Sequence, residues 1–139
     1  MTARDDGHAL IETILVSLLL LAPLVWALGV LADLHRSALA STAAAREAGF
    51  DAARSASPAS ARAAVDDAVR RAFADQGLDP SEAQVRWSAS GLTRGEAVEI
   101  EVSYPVTVVQ APLLGRISGP AVWVNARHVA RIAPYRSRE

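Results

Sequence analysis

The sequence predicts an α+β fold in which one long helix and one shorter amphipathic helix accompany a small three-stranded antiparallel sheet. Three observations carry this. Residues 13–32 form an unbroken apolar run, residues 61–73 repeat apolar side chains at steps of three and four, and beyond Asp79-Pro80 the repeat shortens to two. Neither a helix stripe nor a sheet face can bury its apolar surface alone, so the simplest architecture lays one on the other.

The apolar run comes first. Twenty residues at about 1.5 Å each give roughly 30 Å of helix, the hydrocarbon thickness of a bilayer. Only Thr13 and Ser17 within it are polar, and none of its residues is charged. Pro23 sits inside and is expected to kink the helix, which lipid-buried helices tolerate when neighbouring groups satisfy the freed carbonyl. A cleaved secretory signal is the competing reading, because Ala38-Leu39-Ala40 offers a small-x-small site before Ser41. Signal peptides, however, have apolar cores of only about 7 to 15 residues and basic leading segments, whereas Arg4 here is offset by Asp5 and Asp6. Orientation is not set by charge, since Arg4 lies on one side of the run and Arg36 and Arg46 on the other.

Past the run the chain is alanine-rich and free of proline up to Ser57, so a single helix is expected over 8–56, with Gly49 as its weak point. Small residues along its outer half suit close helix approach, and equally suit plain helical propensity. Ser57-Pro58 reads as a restart, with serine as the cap and proline in the first turn. Ala61, Ala64, Val65, Ala68, Val69, Ala72 and Phe73 make the apolar face that follows. Asp66 with Arg70 and Asp67 with Arg71 have favourable i, i+4 spacing on the opposite face. Gly77 ends the helix.

Val85 and Trp87 open a short strand, and residues 91–95 supply a turn. Val98, Ile100, Val102 and Tyr104 then alternate with Glu99, Glu101 and Ser103. Pro105 marks the far part of this second strand as an edge, bulge or bend. After a loop containing Pro112, Gly115, Gly119 and Pro120, residues 121–132 read as a third strand. Its dry face is Val122, Val124, Ala126, Ala130 and Ile132, with Arg127 and Arg131 opposite. Trp123 is either an exposed contact or, with the register slipped by one, part of the core. The tail from Pro134 onward is polar and expected to fray.

Composition narrows the function classes. At 139 residues and 51% hydrophobic content there is room for one span and one small domain. A formal net charge of −1 gives no basic footprint for nucleic acid. With no cysteine, neither a disulfide framework nor a thiolate metal site is available, and a small exported domain must draw its stability from packing or from neighbouring subunits. His8, His35 and His128 are too dispersed to form a metal-ligand pair. Ser88 and Ser90 have no nucleophile setting, no phosphate loop follows a strand, and Glu99 and Glu101 suit a solvated strand edge better than an acid/base pair. No enzymatic activity, cofactor or small-molecule ligand is expected.

The segment with most to say about function is Gly7-His8-Ala9-Leu10-Ile11-Glu12, a glycine followed at the fifth position by a glutamate at the mouth of the apolar run. It resembles the processing site of type IV prepilins, and the whole chain is similar to the TadE-like minor pilins, or pseudopilins, of tight-adherence pilus systems. The resemblance covers the charged leader 1–7, the glutamate, the long helix with its span at about 13–32, and the small α+β domain, 57–139. It implies a pilin-like fold and cleavage by a prepilin peptidase between Gly7 and His8. It also implies a single-pass subunit of the bacterial cytoplasmic membrane with its C-terminal domain outside, working with other major and minor pilins. Threonine after Glu12, where the major tight-adherence pilins carry tyrosine, points to an accessory subunit. A carboxylate at the membrane edge is costly to leave unpaired, and the new amine of a neighbouring subunit can neutralise it and set axial register. Taken by itself, Glu12 equally suits the first turn of a helix, where the dipole favours an acid and headgroups solvate it. The alternative from another class is a signal-anchored extracytoplasmic binding module with no filament role.

Overall fold

A computed structural model describes residues 3–88, 95–108 and 120–132, with side chains from Leu10 onward. The elements run in the order expected. Helix α1 is Ala3–Arg54 and helix α2 is Pro58–Asp75; strands β1, β2 and β3 are Gln84–Ser88, Ala97–Thr107 and Ala121–Arg131. The loop glycines and Pro112 expected around 109–119, and the tail beyond 132, lie outside the described residues.

The chain divides into two compact units, Met1–Asp33 and Leu34–Glu139. In the first, α1 is long and apolar enough to cross a membrane, and none of its apolar stretch is buried. Apart from the half-buried Val30, its large apolar side chains from Leu10 to Leu31 are between 46% (Trp26) and 76% (Leu19) exposed. In water such a surface would be prohibitive; in lipid it costs nothing, because acyl chains are as apolar as leucine. Helix assignment continues without a break through Pro23.

The second unit is a two-layer α+β domain. Its helical layer takes in residues 34–54 of α1, which contribute small side chains to the core. Ser37, Ala40, Ser41, Ala44, Ala45, Ala48 and Ala52 are all buried, spaced by three and four so that they form one stripe. Whether those alanines served packing or propensity was open from the sequence; here they pack within the chain.

Helix α2 begins with a capping box in which the Ser57 and Ser60 side chains and backbone N–H groups satisfy one another, with Pro58 in the first turn. It ends on Gly77 at φ 67°, where the Leu78 N–H donates to the Phe73 carbonyl at 3.0 Å and the Gly77 N–H to the Ala74 carbonyl at 2.9 Å. That double closure needs a left-handed residue, so glycine is required. The buried face is Ala61, Val65, Ala68, Val69, Ala72 and Phe73, as the periodicity predicts. The charged face differs: Arg70 pairs with Asp67 one turn back, and Arg71 reaches Asp51 of α1 at 3.4 Å. The packing of α2 against α1 puts that acid within range of Arg71.

The sheet has the order β1-β2-β3, antiparallel throughout. Strand β2 is central and turns Val98, Ile100, Val102, Tyr104 and Val106 into the core. Pro105 faces Trp123 of β3, but β1 stops at the Gln84–Ser103 pair. From there β2 has a neighbour on one side only among the described residues, which reconciles a proline with a central strand. On β3, Val124, Ala126, His128 and Ala130 lie on the core side, with Ile132 just beyond the strand's end. Val122, placed by its alternation on the dry face, is 46% exposed. Trp123 is an outward residue, also 46% exposed, so the register is not slipped.

Candidate functional site

The residues singled out for processing and assembly all belong to the first helix. Gly7, His8, Glu12 and Pro23 lie on one continuous α1. Glu12 is exposed and makes no ion pair or hydrogen bond among the described residues. Residues 8 and 12 are one helical turn apart on the same face, with Cα atoms separated by about 6 Å. An amine created at His8 would therefore start one turn from its own Glu12. Eleven residues further on, Pro23 has no N–H to offer the Leu19 carbonyl, which is left for another partner.

Phe73 of α2 stacks on Tyr104 of β2 with ring centroids 4.8 Å apart and 24° between planes. Burial is the main cause that raises the Tyr104 hydroxyl above its ordinary 10.0, with the negative charge of Glu82 next. Asp79, at the start of a 3-10 turn over Pro80–Glu82, accepts the Ser81 N–H at 2.9 Å, and that bond lowers its carboxyl.

Gly49 and His128 are the pair that sequence reasoning missed. The sequence marked Gly49 as a weak point of the helix and His128 only as too far from the other histidines to share a metal. A Cβ on Gly49 would stand 2.8 Å from His128 Cδ2 and 3.4 Å from the Ala130 methyl. Helix α1 thus approaches β3 closely because residue 49 has no side chain, and Phe50 stacks obliquely on the His128 ring at 5.4 Å. The signal was present as the continuation of the small stripe: Ala45, Gly49 and Ala52 follow Ser41 at steps of three and four.

On the outward face of the sheet Arg127 grips Glu99 with two bonds, 2.7 Å from Nε and 2.8 Å from Nη2. Glu99 and Glu101 are therefore on the central strand rather than a free edge, and Glu99 is neutralised across to β3. Of the histidines, His35 is exposed on α1 and His128 packs as above. Among the described residues no group of three histidine, aspartate or glutamate side chains is placed to hold a metal ion.

Fold and site together define a class: a small α+β domain in a chain whose N-terminal helix is long and apolar enough to span a membrane. No family model, curated protein or solved structure matches the chain.

Proposed function

We propose that this chain is a minor pilin, or pseudopilin, of the TadE-like kind. It is a membrane-anchored structural subunit that a prepilin peptidase cleaves after Gly7 and that primes, caps or helps assemble a tight-adherence pilus with sibling pilins. The observation that carries the reading is the pairing of the Gly7-to-Glu12 spacing with a helix whose apolar surface is exposed on every side, next to that glutamate. A span alone would serve any tethered protein. A charge-free span preceded by one acid, itself five residues past a glycine, serves a subunit that must leave lipid and pair with an amine.

The signal-anchored binding module remains the second reading, supported by the second unit's own core. A secreted protein beginning at Ser41 has less support. Ala40 and Ser41 are fully buried within a helix, and cleavage there would strip Ser37 and Ala40 from the core.

Glu12→Ala tests the assembly role in cells that express the sibling pilins. The variant is expected to insert in the membrane at the normal level and to fall out of assembled filaments, with Glu12→Gln behaving the same way because it too lacks charge. Unchanged incorporation of both variants would take Glu12 out of the mechanism.

A further inference from the structure

Strand β3 is eleven residues long and pairs with β2 one to one, without a bulge. Among the described residues no strand lies on its other side. Such an edge is a template for another strand unless proline, charge or a twist protects it. Here the protection covers only half. Arg127 and Arg131 guard the C-terminal part, whereas residues 121–126 carry no charge and no proline, and Val122 and Trp123 there are exposed. The unguarded stretch has room for the five residues of β1, Gln84–Ser88, the other edge of the same sheet.

We propose that this half of β3 is the docking edge for β1 of a neighbouring copy of the same chain, added in parallel. Both strands run opposite to β2, so copies standing side by side in one orientation present β1 of one to β3 of the next. Pairing β3 with β3 about a twofold axis would instead be antiparallel. It would also reverse residues 34–54 of α1 between the two copies, whereas the filament reading stacks subunit helices in one direction. Chemistry selects the register. With Val85 beside Val122 and Trp87 beside Val124, apolar side chains meet on the core side; on the outward side Arg86 meets the Trp123 ring and Ser88 meets Asn125. Sliding β1 along by four residues would set Arg86 against Arg127, opposing like charges. The contact is heterologous, so each copy keeps its other edge for a further neighbour and a row of copies can form instead of a dimer alone. In needing such a row it rests on the filament reading.

The chain has no cysteine, so a Ser88→Cys/Asn125→Cys double variant reports the contact against an empty background. Within one chain the two positions lie on opposite edges of the sheet, Ser88 sharing a row with Val129 and Asn125 with Gln84. They are about 10 Å apart across the sheet and about 13 Å along it, well past the roughly 7 Å limit for a disulfide. Copper-phenanthroline oxidation of membranes holding the double variant is expected to give a ladder of dimers, trimers and longer species. Each single variant should stay monomeric, and adding Trp123→Lys should abolish the ladder. A double variant that stays monomeric while melting like the parent, or dimers from Asn125→Cys alone, overturns the contact. Absence of a ladder in a chain that begins at His8 removes the sheet contact and leaves the filament reading in place. A ladder from a chain that still begins at Met1 does the reverse.

Discussion

Single residues in the folded unit are tuned by burial more than by charge. Tyr104 is 6% exposed between Phe73 and the Glu82 carboxylate, and both surroundings disfavour its ionised form. The sign of the consequence is definite. The unfolded tyrosine ionises near 10.0 and the folded one later, so its contribution to stability is whole below pH 10 and is lost as pH rises through the folded value. Chemical denaturation in detergent from pH 8 to 11.5 is expected to show that alkaline loss in the parent and a smaller one in Tyr104→Phe. Equal losses would mean that other groups govern the alkaline limb. None of this was legible in the sequence, where Tyr104 is one more alternating apolar position; its neighbours Phe73 and Glu82 are set by how α2 and the turn after it fold back on β2. Ser41 is a second case. Its hydroxyl is buried without a hydrogen-bond partner among the described residues, a cost of about 1–3 kcal/mol that a sequence reading of a small-residue helix does not reveal.

At the scale of elements, far more could be read. Local chemistry announced each one: Ser57-Pro58 and Gly77 bracket α2, and the change of period after Pro80 announces the strands. What local chemistry does not encode is which elements meet, and the Gly49–His128 contact shows why. A helical glycine reads as a defect of about 1 kcal/mol until a strand is known to lie against it. Gly49→Ala therefore sets two effects against each other. The gain in helix propensity is about 1 kcal/mol, while forcing a methyl to within 2.8 Å of the His128 ring costs about 1–3 kcal/mol. We expect a net loss of about 1 kcal/mol, a Tm lower by about 4 °C for a domain of this size. In a His128→Ala background the same change should become stabilising, because only the propensity gain is left. If Gly49→Ala stabilises the parent as well, the close approach of α1 to β3 is wrong. The salt bridges taught the same lesson, since Arg71 took Asp51 from another element over the acid four residues away on its own helix.

The whole molecule is an apolar helical unit and a folded α+β unit, and both were legible because each is a long, consistent pattern. The apolar run ends at Ala32 and the compact unit begins at Leu34. The sequence reading placed the division at 57, after the long helix, and left open whether the alanine-rich half of α1 packs; its alanines belong to the core. A stripe of alanines has too little apolar area to declare a buried face by periodicity, although close packing makes it one. The candidate processing site could be read only from spacing, and it stays so: Gly7 and His8 are placed on the backbone of α1, while what gives them meaning is an enzyme outside the chain. The most direct measurement is the intact mass and N-terminal sequence of the full chain extracted from membranes that contain a prepilin peptidase. We expect the polypeptide to begin at His8, with the leader through Gly7 absent. A chain beginning at Met1 or Thr2 in the presence of an active peptidase would contradict the account and leave a simple membrane-tethered domain.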